Sequence, residues 1–118
     1  MIKDSDVTVM VSDMKRAIRF YVEGLGFKLV ANYGDHYAQI IAPGIKIGLH
    51  PTENGNRSQP GAQGISIGFM VDDLNVALAR VSEIGVSSVR IVNDGPVTLA
   101  HFADPDGNPL YFAEERKR

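Results

Sequence analysis

The chain has 118 residues, 44% of them hydrophobic, which is enough for one ordinary core and too little for two independently stable domains of typical size. A formal charge of −2 with twelve scattered Lys and Arg offers no basic surface for nucleic acid, and no run approaches the ~18 apolar residues that cross a bilayer. The absence of cysteine excludes disulfides, thiolate metal sites and a cysteine nucleophile.

Met1 to Asp6 is polar and lacks the apolar stretch of a secretory leader, so a cytoplasmic protein is expected. Residues 7–11 then alternate as a strand, with Val7, Val9 and Val11 on one side. After Asp13, apolar residues fall at Met14, Ala17, Ile18, Tyr21 and Leu25, the stripe of an amphipathic helix. Asp13 is a suitable N-cap, and Gly24 or Gly26 a left-handed stop. Strand-like runs follow at 27–33, 37–42 and 45–50, divided by the turn pairs Gly34-Asp35 and Pro43-Gly44. Residues 51–64 have almost no apolar content and read as a linker, or as a flap over a site.

The pattern then starts again. Ile67-Gly68-Phe69-Met70-Val71-Asp72-Asp73-Leu74 answers Val7-Thr8-Val9-Met10-Val11-Ser12-Asp13-Met14 sixty positions earlier. A second helical stripe runs through Leu74, Ala77, Leu78 and Val81, with Asp73 as its cap and Gly85 as its stop. Strands are expected at 88–92, 97–103 and 110–113, separated by Asn93-Asp94-Gly95-Pro96 and Asp104-Pro105-Asp106-Gly107-Asn108. The mixed-charge tail from Glu114 to Arg118 is expected to fray. The order is β-α-β-β-β twice, an α+β architecture with module one at 5–50, a linker at 51–64 and module two at 65–113.

Two motifs carry a family resemblance. Val11-Ser12-Asp13-Met14 with Ala17-Ile18-Arg19-Phe20-Tyr21 and Gly24-Leu25-Gly26-Phe27 is similar to the opening of vicinal oxygen chelate proteins, and Phe102-Ala103-Asp104-Pro105-Asp106-Gly107-Asn108-Pro109 to their closing turn and last strand. That superfamily includes glyoxalase, bleomycin-resistance, fosfomycin-resistance and extradiol dioxygenase-like proteins. The resemblance implies one domain over 1–118, in which two tandem modules form a cupped, partly closed mixed β-sheet with helices on the outer face and hold a small organic molecule. Both motifs are structural. The aspartates after Ala103 suit a tight turn that bonds its own backbone, so they are not assigned to catalysis.

Strand alternation sorts the faces. With Val7, Val9, Val11, Ile45, Ile47, Leu49, Ile65, Ile67, Phe69 and Val71 packing on the helices, Asp6, Thr8, Met10, Lys46, His50, Ser66 and Met70 are left to bind the ligand, while Gly48 and Gly68 face the same side without a side chain. Leu110 and Phe112 pack, so Tyr111 turns inward, and similarity to the family places His101 inside as well. His101 and Tyr111 are the candidate catalytic or ligand-bonding pair. His36, beside a turn, is expected to be exposed.

Metal-dependent members of the family place His, Gln or Glu at one inward position on each of four strands. Those positions carry over to Asp6, Gly48, Ser66 and Tyr111, of which only Asp6 is an ordinary ligand. No metal or other cofactor is therefore expected, the alternative being a rearranged site of Asp6, His50 and His101. The leading functional expectation is a metal-free binding or sequestration protein similar to bleomycin-resistance members. The alternatives are a metal-dependent lyase, transferase, isomerase or dioxygenase-like enzyme, and metal-free acid/base catalysis by His101 or His50 with Tyr111 or Lys46 stabilising charge. The length and the exposed sheet edges, compared with the family, lead us to expect a homodimer with sites at its interface.

Overall fold

A computed structural model describes residues 6–52 and 65–116. The expected linker or flap lies almost wholly at 53–64, outside the described residues. The chain divides into two compact units, Met1–Pro60 and Gly61–Arg118.

The first unit contains β1 (Val7–Val11), α1 (Met14–Arg19), β2 (Lys28–Asn32), β3 (Ala38–Ala42) and β4 (Ile45–Pro51). Its four-stranded sheet runs β1-β4-β3-β2, with β1 parallel to β4 and the other pairs antiparallel. The second contains β5 (Ile67–Met70), α2 (Leu74–Ser82), β6 (Arg90–Asp94), β7 (Val97–Ala103) and β8 (Pro109–Glu115), in the order β5-β8-β7-β6. Here β5 is the parallel neighbour of β8. Both units are thus the expected β-α-β-β-β module, each a mixed sheet with one helix.

The helices begin as the sequence implies. Asp13 accepts from the Arg16 amide at 3.1 Å and Asp73 from the Val76 amide at 3.2 Å, each satisfying one free first-turn N–H. Their ends differ. α2 closes with the Val86 amide on the Val81 carbonyl and the Gly85 amide on the Ser82 carbonyl, and Gly85 at φ 106 adopts the left-handed conformation this motif needs. α1 instead runs on into a π-helical turn, Phe20–Gly24, so Gly24 lies buried inside the helical run and Gly26, at φ 79, is the left-handed residue. The wider turn lets the neighbours Phe20 and Tyr21 both reach the core, their rings edge-to-face at 5.1 Å.

Each core lies between helix and sheet. Val9, Val11, Ile40, Ile47 and Leu49 of the first sheet are buried with Met14, Ala17, Phe20 and Tyr21; Ile67, Ala100, Phe102, Leu110 and Phe112 of the second are buried with Leu74 and Val81. Full burial of one such aliphatic side chain stabilises by roughly 1.5–3 kcal/mol. Ile65 is a correction: β5 starts only at Ile67, and Ile65, which alternation had packed on the helix, is exposed.

The strand ends also shift. β4 extends to Pro51, opposite Val11, and β6 occupies Arg90–Asp94, leaving Gly95-Pro96 as the turn. β8 continues to Glu115, so the first residues of the expected frayed tail are ordered. Glu114 in particular accepts from the Leu74 amide at 2.7 Å, placing a carboxylate at the start of α2. Glu114→Ala is expected to destabilise by about 1 kcal/mol in urea unfolding, with Glu114→Gln recovering part of the loss. An unchanged midpoint for the alanine variant would show that the cap contributes nothing.

Candidate functional site

The residues facing away from each helix form a second, chemically different surface. In the first unit the register sets Thr8 opposite Gly48, Gly48 opposite Gln39, and Met10 opposite His50. Asp6 and Lys46 lie towards the other end, where with Ile41 and Gly44 they border a cleft of about 430 Å³. Candidates from this half are therefore spread along the sheet: a charged end, a polar middle at Thr8, and Met10 with His50 at the far end. The imidazole Nδ1 of His50 donates to the Pro51 carbonyl at 2.8 Å, which leaves Nε2 as the ring nitrogen open to a bound molecule.

Tyr37 is the residue that sequence reasoning missed on this face. Its ring lies against Gly48, so that a Cβ there would come within 2.8 Å of the phenolic oxygen and 3.0 Å of Cε1. Gln39 Nε2 donates to the same hydroxyl at 3.4 Å, and Tyr33 stacks on the ring at a centroid distance of 6.3 Å. The signal was available: Tyr37 shares parity with Gln39 and Ile41, and extending the face sorting to this strand would have placed it here. His36, as expected, is exposed.

In the second unit one row crosses all four strands. Gly68 on β5 pairs with Tyr111 on β8, Tyr111 with His101 on β7, and His101 with Arg90 on β6. Residues directly opposite each other share a face, so His101, assigned to this face only by resemblance, stands beside Tyr111, with ring centroids 5.7 Å apart. The Tyr111 ring leans the other way, over Gly68, where a Cβ would overlap Cζ, Cε1 and the hydroxyl. Its hydroxyl thus lies over the β5 edge, in the line of Ser66 and Met70. The Ser66 hydroxyl donates to the Pro109 carbonyl at 3.4 Å, and Met70 is 64% exposed, so the apolar side chain is available for contact. Arg90 had not been singled out, because its place in the row depends on how β6 pairs with β7.

The turn after β7 behaves as a structural element. Asp104 Oδ1 accepts from the Asp106 and Asn108 amides, both at 2.9 Å, and Oδ2 accepts from Asn108 Nδ2 at 2.8 Å. Its carboxylate is consumed in holding β7 to β8, the strands that carry His101 and Tyr111.

Of the four positions carried over from metal-dependent members, Asp6 alone offers an ordinary ligand, and the other three do not suit a divalent cation. Gly48 has no donor and the Tyr37 ring fills the space a side chain would need, while the Ser66 hydroxyl and the Tyr111 phenol are poor ligands when neutral. Among the described residues, no three His, Asp or Glu side chains gather as a metal site would require. No helix among them is long and apolar enough to cross a membrane.

A model of the Glyoxalase/Bleomycin resistance protein/Dioxygenase superfamily matches residues 5–112. The crystal structure of TnmS3, an antibiotic binding protein from Streptomyces sp. CB03234, is similar at 30% sequence identity and a TM-score of 0.71, covering 98% of this chain and 100% of that one. The fosfomycin resistance protein FosX from Listeria monocytogenes has a TM-score of 0.76 at 15% identity, over 100% of this chain and 95% of that one, a likeness of fold. Virulence protein STM3117 of Salmonella typhimurium is 29% identical over 118 residues, 92% of this chain and 81% of that protein.

Proposed function

The chain belongs to the glyoxalase/bleomycin resistance/dioxygenase superfamily, and we propose that within it this protein binds and sequesters a small organic molecule without a resident metal ion. One observation carries the reading: on the face of the second sheet turned from its helix, Tyr111 and His101 stand side by side with ring centroids 5.7 Å apart, next to exposed Met70. An apolar surface with a few convergent hydrogen-bonding groups is what small-molecule sites are made of. Methionine adapts to the shape of a ligand, while tyrosine and histidine supply flat faces and polar tips.

Two further points support it. The similarity to an antibiotic binding protein extends along nearly the whole chain. The Tyr37 ring over Gly48 closes off one of the places where metal-dependent relatives need a ligand. Asp6, Thr8, Met10, Lys46 and His50 of the first sheet, with Ser66 and Met70 of the second, are the remaining binding residues in this reading. The assembly proposed is a cytoplasmic homodimer with its sites at the interface.

Native mass spectrometry of freshly purified protein tests these points together. The expected spectrum is that of a dimer carrying a small organic adduct and no stoichiometric metal. One tightly held Zn, Mn, Ni or Fe per chain, lost with Asp6→Ala, would sink the metal-free reading and favour a metal-dependent enzyme. A monomeric mass at micromolar concentration would remove the interface site. Consumption of the recovered compound by the metal-free protein would replace sequestration with acid/base catalysis at His101 and Tyr111.

A further inference from the structure

The row Gly68–Tyr111–His101–Arg90 has a neighbour of opposite character. Two residues along each strand, on the same face, the register aligns Met70 with Ala113, Ala113 with Leu99, and Leu99 with Val92. The second sheet therefore presents a polar row and an apolar row side by side, separated by two residue rises, roughly 6–7 Å. The polar row holds a phenol, an imidazole and a permanently charged guanidinium, with no carboxylate among them. The apolar row holds four side chains without a polar atom.

This pairing specifies a ligand class. Resting on the sequestration reading, we infer that the molecule bound is an amphiphilic anion: a flat apolar body lying on Met70, Leu99 and Val92 and reaching the Tyr111 ring over β5, and an acidic oxygen group, carboxylate or sulfonate in type, held by Arg90 and the neighbouring His101. Arg90 supplies the charge, and its planar fork matches an oxyanion in a way that a point charge does not. Tyr111 supplies an aromatic ring for the apolar body. Gly68 is the positioning residue, because the Tyr111 ring can lean over β5 only where the strand has no side chain. Any Cβ at 68 drives the ring off its seat.

Two fluorescent probes that differ only in charge test the assignment: anilinonaphthalene sulfonate, a flat anion, and phenylnaphthylamine, the same frame without the sulfonate. The wild-type protein is expected to bind the sulfonate more tightly. Arg90→Gln should weaken the sulfonate by about three- to tenfold, as expected for a charge-assisted bond at a partly exposed site, and leave the neutral probe unchanged. Leu99→Asp should abolish binding of both. Gly68→Ala should weaken both probes in the wild-type background and have no further effect on top of Tyr111→Ala, because it acts only through that ring.

An independent readout covers the seat itself. The Gly68 Hα resonances, lying beneath an aromatic face, should be shifted upfield in the native protein and return towards ordinary values in Tyr111→Ala, with the fold checked by melting temperature. Equal weakening of both probes by Arg90→Gln, or a Gly68→Ala effect that persists without Tyr111, would overturn the assignment. If the native protein yields a ligand by mass spectrometry but binds neither probe, the ligand class fails and sequestration stands. Charge-selective probe binding by a protein that carries no ligand and takes none up from a lysate would end the sequestration reading and leave the ligand class intact.

Discussion

Asp104→Ala is expected to lower the unfolding free energy by about 3–4 kcal/mol, near the upper end for a single substitution. The carboxylate is buried and takes three hydrogen bonds, two from backbone amides and one from the Asn108 side chain. An alanine leaves those donors facing a site that water reaches poorly, so each forfeits a charge-assisted bond without replacement. Two backbone bonds, from the Asp104 amide to the Asn108 carbonyl at 3.0 Å and from the Gly107 amide to the Asp104 carbonyl at 2.9 Å, would then hold the turn without the side chain. Asp104→Asn should fall between wild type and alanine: its amide oxygen can still accept, but its NH2 group would meet the Asn108 amide donor to donor. The measurement is urea unfolding, and the midpoint should fall with the slope unchanged. A loss under about 1 kcal/mol for the alanine variant would mean that the turn is held by something else.

His101→Ala and Tyr111→Phe should each weaken binding of the ligand recovered from the native protein by ~1–3 kcal/mol, about one to two decades of affinity. The two positions are direct register partners with ring centroids 5.7 Å apart, so a molecule lying on this face would touch both. Removing only the Tyr111 hydroxyl preserves the ring on Gly68, which makes Tyr111→Phe the cleaner probe of the hydrogen bond. His101→Ala also removes a ring packed 5.7 Å from Tyr111, so part of its effect should appear in the melting temperature. Native affinity in both variants would show that the pair is structural and the assignment of this face wrong. Retained affinity in Tyr111→Phe with loss of turnover would point to catalysis.

The parts legible in the sequence were those fixed by local periodicity. The helical stripes through Met14, Ala17 and Tyr21 and through Leu74 and Val81 follow from 3.6-residue spacing, and the caps at Asp13 and Asp73 from chemistry within one turn. Period-two alternation sorted Tyr111 from Leu110 and Phe112. Ile65 shows the limit of that rule, since alternation does not say where a strand starts. The rest depends on neighbours distant in sequence. The Glu114 cap joins residues forty positions apart, and the Tyr37 ring finds Gly48 only because β3 and β4 pair in one register. The π-turn was hidden for another reason: a regular α period does not bury Phe20 and Tyr21 equally, and no local residue announces the extra one.

The strand order has a kinetic side. In each unit every pairing but one joins strands consecutive in the chain; the exception is the parallel pair that links residue 7 to residue 47, and residue 67 to residue 110. Hairpins close over a few residues and form early, whereas a distant strand arrives only after a long loop has been ordered. Until β1 or β5 docks, the outer edge of β4 or β8 carries a full line of unpaired amides and carbonyls, complementary to the same strand of any other copy of this chain. The interval between meander and docking is therefore when strand exchange between molecules competes with folding, and slow refolding at high concentration favours exchanged products over native ones.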